Sequence, residues 1–346
     1  MKTTTSFLAA LLLLFVLAAL PGGMAGRAQA PAEAGPLDFL VQSVCLEADG
    51  RPTATLPTDP ACTLRRLQRS DDPAPYRKHD WPNVLGDPST PSGYQASDSV
   101  VMQRGGRTLV VQTFDFGTNG RTFGTFDGGR GDGGQVALIV GDWSSFVLTE
   151  DGGGGVQWFV GEGCRSAASP EQRFLSWLIF REPVAGAWQD GMARLNIAPD
   201  IASCPRRFND AYTRYRRDEI EFPFRIAGPN GTRNERHRLD VVVSEHYGGS
   251  DIPSADHLER FFFARGLGMV RWERWANGKV TRDRQAAATM ATALAQTARC
   301  PALKDYGAPG RDWLLADCRT WTVMIPQERP WSVDVYGWPA LRAFGR

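Results

Sequence analysis

Six cysteines behind an apolar leader constrain this chain more than any other feature of its sequence. Lys2 gives a short positive start, Phe7 to Leu20 are uninterruptedly apolar, and Pro21-Gly22-Gly23 stops any helix directly afterwards. The run of 14 residues is shorter than the roughly 20 that span a bilayer, so it reads as a signal peptide rather than an anchor. Ala28-Gln29-Ala30 carries the small-x-small pattern of a cleavage site, with Ala32-Glu33-Ala34 as a second candidate, and removal near residue 30 is expected. Residues 1–30 are then the leader, and the mature chain is secreted or periplasmic. No cysteine sits beside the apolar run, against a lipid-anchored form, and no later segment is apolar enough to cross a membrane.

Export places all the cysteines where thiols oxidise. They fall along the chain as three separated pairs, and the expected bridges are Cys45 with Cys62, Cys164 with Cys204, and Cys300 with Cys318. Metal binding is the competing reading, but there is no Cys-x-x-Cys, and His79, His237, His246 and His257 lack ligand spacing. A formal charge of +1 argues against a general nucleic-acid binder, which would carry a clustered basic excess. Lysine occurs only at 2, 78, 279 and 304, so nearly every cation is an arginine. Guanidinium groups bind carboxylates and sulfates bidentately. A GC-rich coding sequence would also raise Arg together with Ala and Gly, and this is the plainer explanation.

From Leu37 to about Val280, short runs of Val, Ile, Phe, Tyr and Trp alternate with Gly, Asn, Asp and Pro, the signature of antiparallel strands and turns. The fold expected is mainly β: an antiparallel β-sandwich or jelly-roll-like body over residues 31–280, with a C-terminal helix and irregular cap over 281–346 packed on the same domain. Ser99 to Phe116 reads as a hairpin bending at Arg104 to Arg107, and Gln135–Val140, Ser145–Leu148 and Val156–Val160 read as further strands. A turn centred on Asn230-Gly231 places Phe222 opposite Leu239 and Ile220 opposite Val241. Ile220, Phe222, Leu239, Val241 and Val243 then share an apolar face, with Glu245 on that face opposite Arg216 and His246 behind it opposite Tyr215. A second hairpin, Leu258 to Trp275, opposes Glu259 to Arg274, Arg260 to Glu273, Phe261 to Trp272, Phe262 to Arg271 and Phe263 to Val270. Asp283 to Ala298 is Ala-rich, with Ala287, Met290, Ala291 and Leu294 spaced as one helical stripe.

Residues 261–273, from Phe261-Phe262-Phe263 through Gly266-Leu267-Gly268-Met269-Val270 to Trp272-Glu273, resemble the aromatic Gly-x-Gly-x-Val hairpin of several β-rich bacterial envelope proteins and lipoproteins. The resemblance covers about 13 residues, names no family and implies an envelope location.

Candidate chemistry concentrates in Ser244-Glu245-His246-Tyr247, followed by His257 and Glu259. Glycosidic hydrolysis needs two carboxyl groups about 5 to 10 Å apart, which Glu245 with Glu259 or Glu273 supplies if the two hairpins adjoin. Elimination from an acidic sugar needs a Tyr or His base beside cations, a role for His246 or Tyr247, or for Tyr215 with Arg217. The plainer reading makes Glu245, Glu259 and Glu273 scaffold carboxylates, each with an arginine across its strand. Asp115, Asp127 and Asp132, set among glycines with Asn119, offer oxygen ligands for calcium, although the spacing matches no calcium motif and an exposed loop explains it as well. Arg130-Gly131-Asp132 is read as chance. The cluster Tyr76 to Trp81 reads as a binding loop, and no Gly-x-Ser-x-Gly elbow provides a nucleophile. Eleven tryptophans suit both a large β core and stacking on sugar rings. The leading functional expectation is therefore recognition or cleavage of an extracytoplasmic polysaccharide, by glycoside hydrolase or lyase chemistry if catalytic. The alternative is a non-catalytic envelope protein that binds a partner protein or a lipid.

Overall fold

A computed structural model describes residues 35, 37–53, 55–68, 76–79, 95–104, 107–115, 134–140, 146–150, 180, 184–195, 209–228, 230–282, 284–297 and 300–325. The helices are α1 (Leu37–Leu40) and α2 (Arg284–Thr297). The strands are β1 (Ser43–Cys45), β2 (Arg65–Leu67), β3 (Tyr76–His79), β4 (Gln95–Arg104), β5 (Arg107–Asp115), β6 (Gly134–Val140), β7 (Phe146–Glu150), β8 (Gln189–Leu195), β9 (Asn209–Gly228), β10 (Gly231–Tyr247), β11 (His257–Ala264), β12 (Gly268–Asn277), β13 (Trp313–Thr320) and β14 (Val323–Ile325). The body is mainly β, with one large sheet and few helices. Twelve strands join in that sheet in the order β13-β12-β11-β10-β9-β14-β3-β4-β5-β6-β7, with β8 added beside β9. Every pairing in it is antiparallel except β14 with β9. Among the described residues no helix is long and apolar enough to cross a membrane.

Strands β9 to β12 carry the core on both faces. On one face Ile220, Phe222, Phe224, Leu239, Val241, Val243 and Phe262 form an apolar cluster, roofed by Leu56, Leu303, Tyr306 and Met324. On the other, Tyr215, Val242, Phe263, Met269 and Trp272 pack against Phe39, Leu40 and Val41 at α1, with Phe180 and Trp321. A strand covered on both sides has no reason to alternate, which is why Val241-Val242-Val243 is an unbroken apolar run. Each fully buried side chain of this kind contributes about 1.5 to 3 kcal/mol.

The apolar face expected for the β9–β10 hairpin is present, but its register is shifted by two residues. Gly231 pairs with Gly228, and Phe222 stands opposite His237 rather than Leu239. An Asn-Gly centre would require a proline, which has no N–H to donate, as a member of the ladder. Gly231 instead takes the positive φ just after the turn, at 108°. A shift by two preserves which face each residue occupies and changes only its partner. In the β11–β12 hairpin the four outer pairs stand as expected, from Glu259 with Arg274 to Phe262 with Arg271. A bulge follows, Phe263 faces Met269 rather than Val270, and the Val270 carbonyl accepts the Trp321 N–H instead. The loop is three residues long, with Gly266 at φ 75°.

Part of the tail expected to be irregular is sheet: β13 pairs with β12, and β14 lies between β9 and β3. Tyr76 to His79, expected in a binding loop, form β3. The stretches read as strands at Ser99–Phe116, Gln135–Val140 and Ser145–Leu148 fall on β4 to β7, with Arg104 facing Arg107 at the bend. Cys45 is bridged to Cys62 and Cys300 to Cys318, so the first bridge closes the β1–β2 segment and the second ties the chain after α2 to β13. Cys164 and Cys204 lie outside the described residues, as do Val156–Val160.

Candidate functional site

Residues two apart on a strand share a face, and cross-strand partners stand beside each other. Applied to β9 through β12, this register lines up Arg214, Glu245, Arg260 and Glu273 in one row across four strands, alternating in sign at every step. The row lies between the apolar cluster around Val243 and Phe262 and a second cluster of Tyr247, Ala255, Leu258, Trp275 and Trp313. Glu245 is 1 % exposed and Glu273 is fully buried.

Removing such charges from water costs several kcal/mol per ion, which only well-made hydrogen bonds offset. Both carboxylates have them. Glu245 accepts from Arg214 Nε at 2.5 Å, from the Tyr247 hydroxyl at 2.7 Å and from Arg260 Nε at 2.7 Å. Glu273 accepts from Arg260 Nη1 at 3.0 Å, Arg271 Nε at 2.7 Å and Trp275 Nε1 at 2.8 Å. Arg260 also donates to the carbonyls of Tyr306 and Gly307, and Arg271 to the Pro301 carbonyl and Cys300 Sγ, so the disulfide-tied segment 300–307 is bound to the same network. Burial alone would raise the Glu245 pKa, but the Arg260 and Arg214 guanidiniums outweigh it and hold the carboxyl below its ordinary value. Burial, followed by the neighbouring Glu245 charge, pushes the Tyr247 hydroxyl far above its ordinary value. Tyr247 therefore keeps its proton and donates a hydrogen bond to Glu245, in the opposite condition from an activated base.

Alternation along β10 splits the residues expected to be catalytic, Glu245, His246, Tyr247 and Glu259. Glu245 and Tyr247 belong to the ladder face, whereas His246 and Glu259 face each other on the reverse side. The partners also differ from the expected ones: Glu245 stands opposite Arg214 rather than Arg216, and His246 opposite Thr213 rather than Tyr215, as the two-residue register shift requires. His246 is buried, with Nε2 2.9 Å from Ser244 Oγ and its ring 4.9 Å from that of Phe261. Glu259 lies 3.4 Å from Arg274 Nη1. Tyr215 is buried in the core, and Arg217 makes a two-pronged ion pair with Asp240 at 2.7 Å on each arm. His257, 2.5 Å from Asp256, lies outside the ladder. Asp115 ends β5, while Asp127 and Asp132 lie outside the described residues. Among those residues no cluster of three or more His, Cys, Asp or Glu is placed to hold a metal ion.

Where the ladder reaches solvent, it meets a group that the sequence reading did not single out. Arg214 and Arg216, two apart on β9, lie on one face, and the partly exposed Trp188 packs across both, with its ring centre 4.4 Å and 4.9 Å from the two guanidinium carbons. Arg216 donates to the Tyr306 hydroxyl at 2.9 Å and to Asp218 at 2.8 Å, and Tyr306 closes the triangle with a 2.7 Å bond to Asp218. Tyr212 donates to Asp190 at 2.8 Å, and its hydroxyl is pushed up to about 12 by burial and then by this bond. Trp188 stands alone among Ala185, Gly186 and Ala187, so nothing local marks it; Arg214 was hidden by the register shift.

Comparison of the chain with family models, characterised proteins and solved structures finds no match in any of the three. The fold and site define an antiparallel β protein, bridged by disulfides and crossed by a buried ladder of Arg–Glu pairs that surfaces at one tryptophan.

Proposed function

We propose that this chain is an exported, disulfide-bonded protein that recognises an extracytoplasmic polysaccharide without cleaving it. The observation that carries the reading is Trp188, a partly exposed indole fixed by two guanidiniums at the rim of the sheet, a rigid aromatic plane of the kind that sugar rings stack on. Recognition is favoured over hydrolysis because the Glu245 carboxylate is buried and committed to Arg214, Arg260 and Tyr247. The two bridges fit an extracellular or periplasmic location, and the leader ending near Ala30 supports it. A sandwich-like closure of the sheet, a third bridge between Cys164 and Cys204, and calcium at Asp115, Asp127 and Asp132 belong to the same proposal.

The test is to titrate the mature chain with a panel of defined oligosaccharides by calorimetry, while assaying the same mixtures for new reducing ends and for unsaturated products. Saturable binding without product is expected. Turnover that Glu245→Gln abolishes would overturn the non-catalytic reading, and failure to bind any oligosaccharide would overturn recognition itself, leaving an envelope protein with a protein or lipid partner.

A further inference from the structure

The charge count of the ladder says what kind of group belongs at its open end. Read inward from solvent, the row runs Arg214, Glu245, Arg260, Glu273 and Arg271, three cations against two carboxylates. Arg260 and Arg271 are each 3 % exposed, and Arg214 is 23 % exposed, so the surplus positive charge reaches water only at Arg214. The Arg214 guanidinium is half used. Its Nε is spent on Glu245, while its two terminal nitrogens make no hydrogen bond to a described residue. Asp190, the cross-strand partner of Arg214 on β8, is engaged by the Tyr212 hydroxyl and forms no ion pair with Arg214. Arg216, also 23 % exposed, uses Nε and Nη2 and keeps Nη1.

We infer that the rim formed by Arg214, Arg216 and Trp188 is a binding site for an acidic saccharide, whose carboxylate or sulfate group seats on the two guanidiniums while its ring lies against the indole. This deepens the glycan reading above and rests on it. An anion here balances the surplus cation and carries the alternation one step further, and the geometry suits it: a guanidinium offers parallel N–H donors to a planar oxyanion, and both arginines are already held by Glu245, Asp218 and Tyr306, so little side-chain freedom is lost on binding. A neutral sugar would use the indole and leave the surplus charge to water.

The deciding experiment titrates the mature chain by calorimetry with a galacturonate trimer, with the neutral galactose trimer of the same linkage, and with sodium sulfate. The acidic trimer is expected to bind at least tenfold more tightly than the neutral one, with affinity falling as salt rises. Arg216→Gln should lower that affinity about tenfold toward the neutral level, and Arg236→Gln, an exposed arginine on the β9–β10 hairpin, should leave it unchanged. Trp188→Leu keeps both charges and covers the case in which Arg216→Gln fails to fold; it should weaken both trimers severalfold and preserve the acidic preference. Equal binding of the two trimers overturns the acidic ligand and leaves the glycan reading standing. Binding of sulfate without either trimer, or silence from all three, overturns the acidic-saccharide site, and the panel of oligosaccharides decides the glycan reading separately.

Discussion

Replacing Glu245 by glutamine is the sharpest perturbation of the ladder, because it keeps shape and volume while removing charge. The wild-type carboxylate accepts three hydrogen bonds, two of them from guanidiniums, at a position 1 % exposed. Glutamine offers one accepting oxygen, and its amide group turns donors toward groups that are themselves donors, whichever way it flips. Arg260, 3 % exposed, then loses one of its two carboxylates with no water to replace it. Breaking one side of such a buried pair costs about 3 to 5 kcal/mol. Against a total stability of roughly 5 to 15 kcal/mol this is a large fraction. The matched control is Glu219→Gln, whose partner Arg238 and whose own side chain are 72 % and 59 % exposed, and which should cost under about 1 kcal/mol. Equilibrium urea unfolding, followed by far-ultraviolet circular dichroism and extrapolated linearly to water, measures both. A Glu245→Gln protein within about 1 kcal/mol of wild type would refute the reasoning: the carboxylate would then not be an obligatory ion-pair partner, and a chemical role for it would reopen.

Three further outcomes are expected. Each bridge closes a short loop, with sequence separations of 17 and 18, so reduction or a paired Cys→Ser replacement of either should cost about 3 kcal/mol, read as a lower melting temperature, with cross-linked peptides at Cys45–Cys62 and Cys300–Cys318 in mass spectra. The acid limb of stability should carry two opposite trends. The depressed carboxyl of Glu245 contributes stability above the ordinary glutamate value of 4.5 that is lost as pH falls through its folded pKa, so Glu245→Gln flattens the acid limb. Asp317 is raised, by burial that outweighs Arg319, so its contribution is complete below 3.8 and lost as pH rises through its folded pKa, and Asp317→Asn should remove that loss in a pH series of denaturant midpoints. Gly249→Ala should destabilise by about 1 to 3 kcal/mol, since the added carbon would lie 2.9 Å from the Ala255 Cα, backbone that cannot turn aside, whereas Gly35→Ala meets nothing; calorimetric melting separates the two.

Local signals were legible and long-range ones were not. The apolar face of β9 and β10, the outer pairs of β11 with β12, and the bridges Cys45–Cys62 and Cys300–Cys318 follow from period, turn chemistry and sequence proximity. The exact register of β9 on β10 did not, because an Asn-Gly step preceded by proline admits two turn centres, and the observed pairing of Gly231 with Gly228 is not the one an Asn-Gly centre gives. The bulge at Phe263 depends on Trp321 reaching the Val270 carbonyl from a distant part of the chain. Strand β13 looks irregular in sequence because its apolar and polar residues do not alternate, and β14 is only three residues long, too short to carry a period. For the site, Glu245 was visible as an inward carboxylate, whereas its partner Arg214 and the rim residue Trp188 emerge only once β8, β9 and β10 are set side by side.

Strand β14 has a consequence for how this molecule matures. Three residues, Val323–Ile325, form the seam between β9 and β3, and thus between the half of the sheet built from strands within 189–320 and the half built from strands within 76–150. The earlier half is made first, and the strand that joins it to the rest of the sheet is the last one among the described residues. Until β14 arrives, the β3 border stays open, with backbone groups ready to pair with any extended segment nearby. Assembly of the whole sheet is therefore gated by the arrival of a short late segment, and a chain truncated before Val323 would leave two half-sheets with raw edges, a species destined for aggregation or proteolysis rather than a smaller working protein.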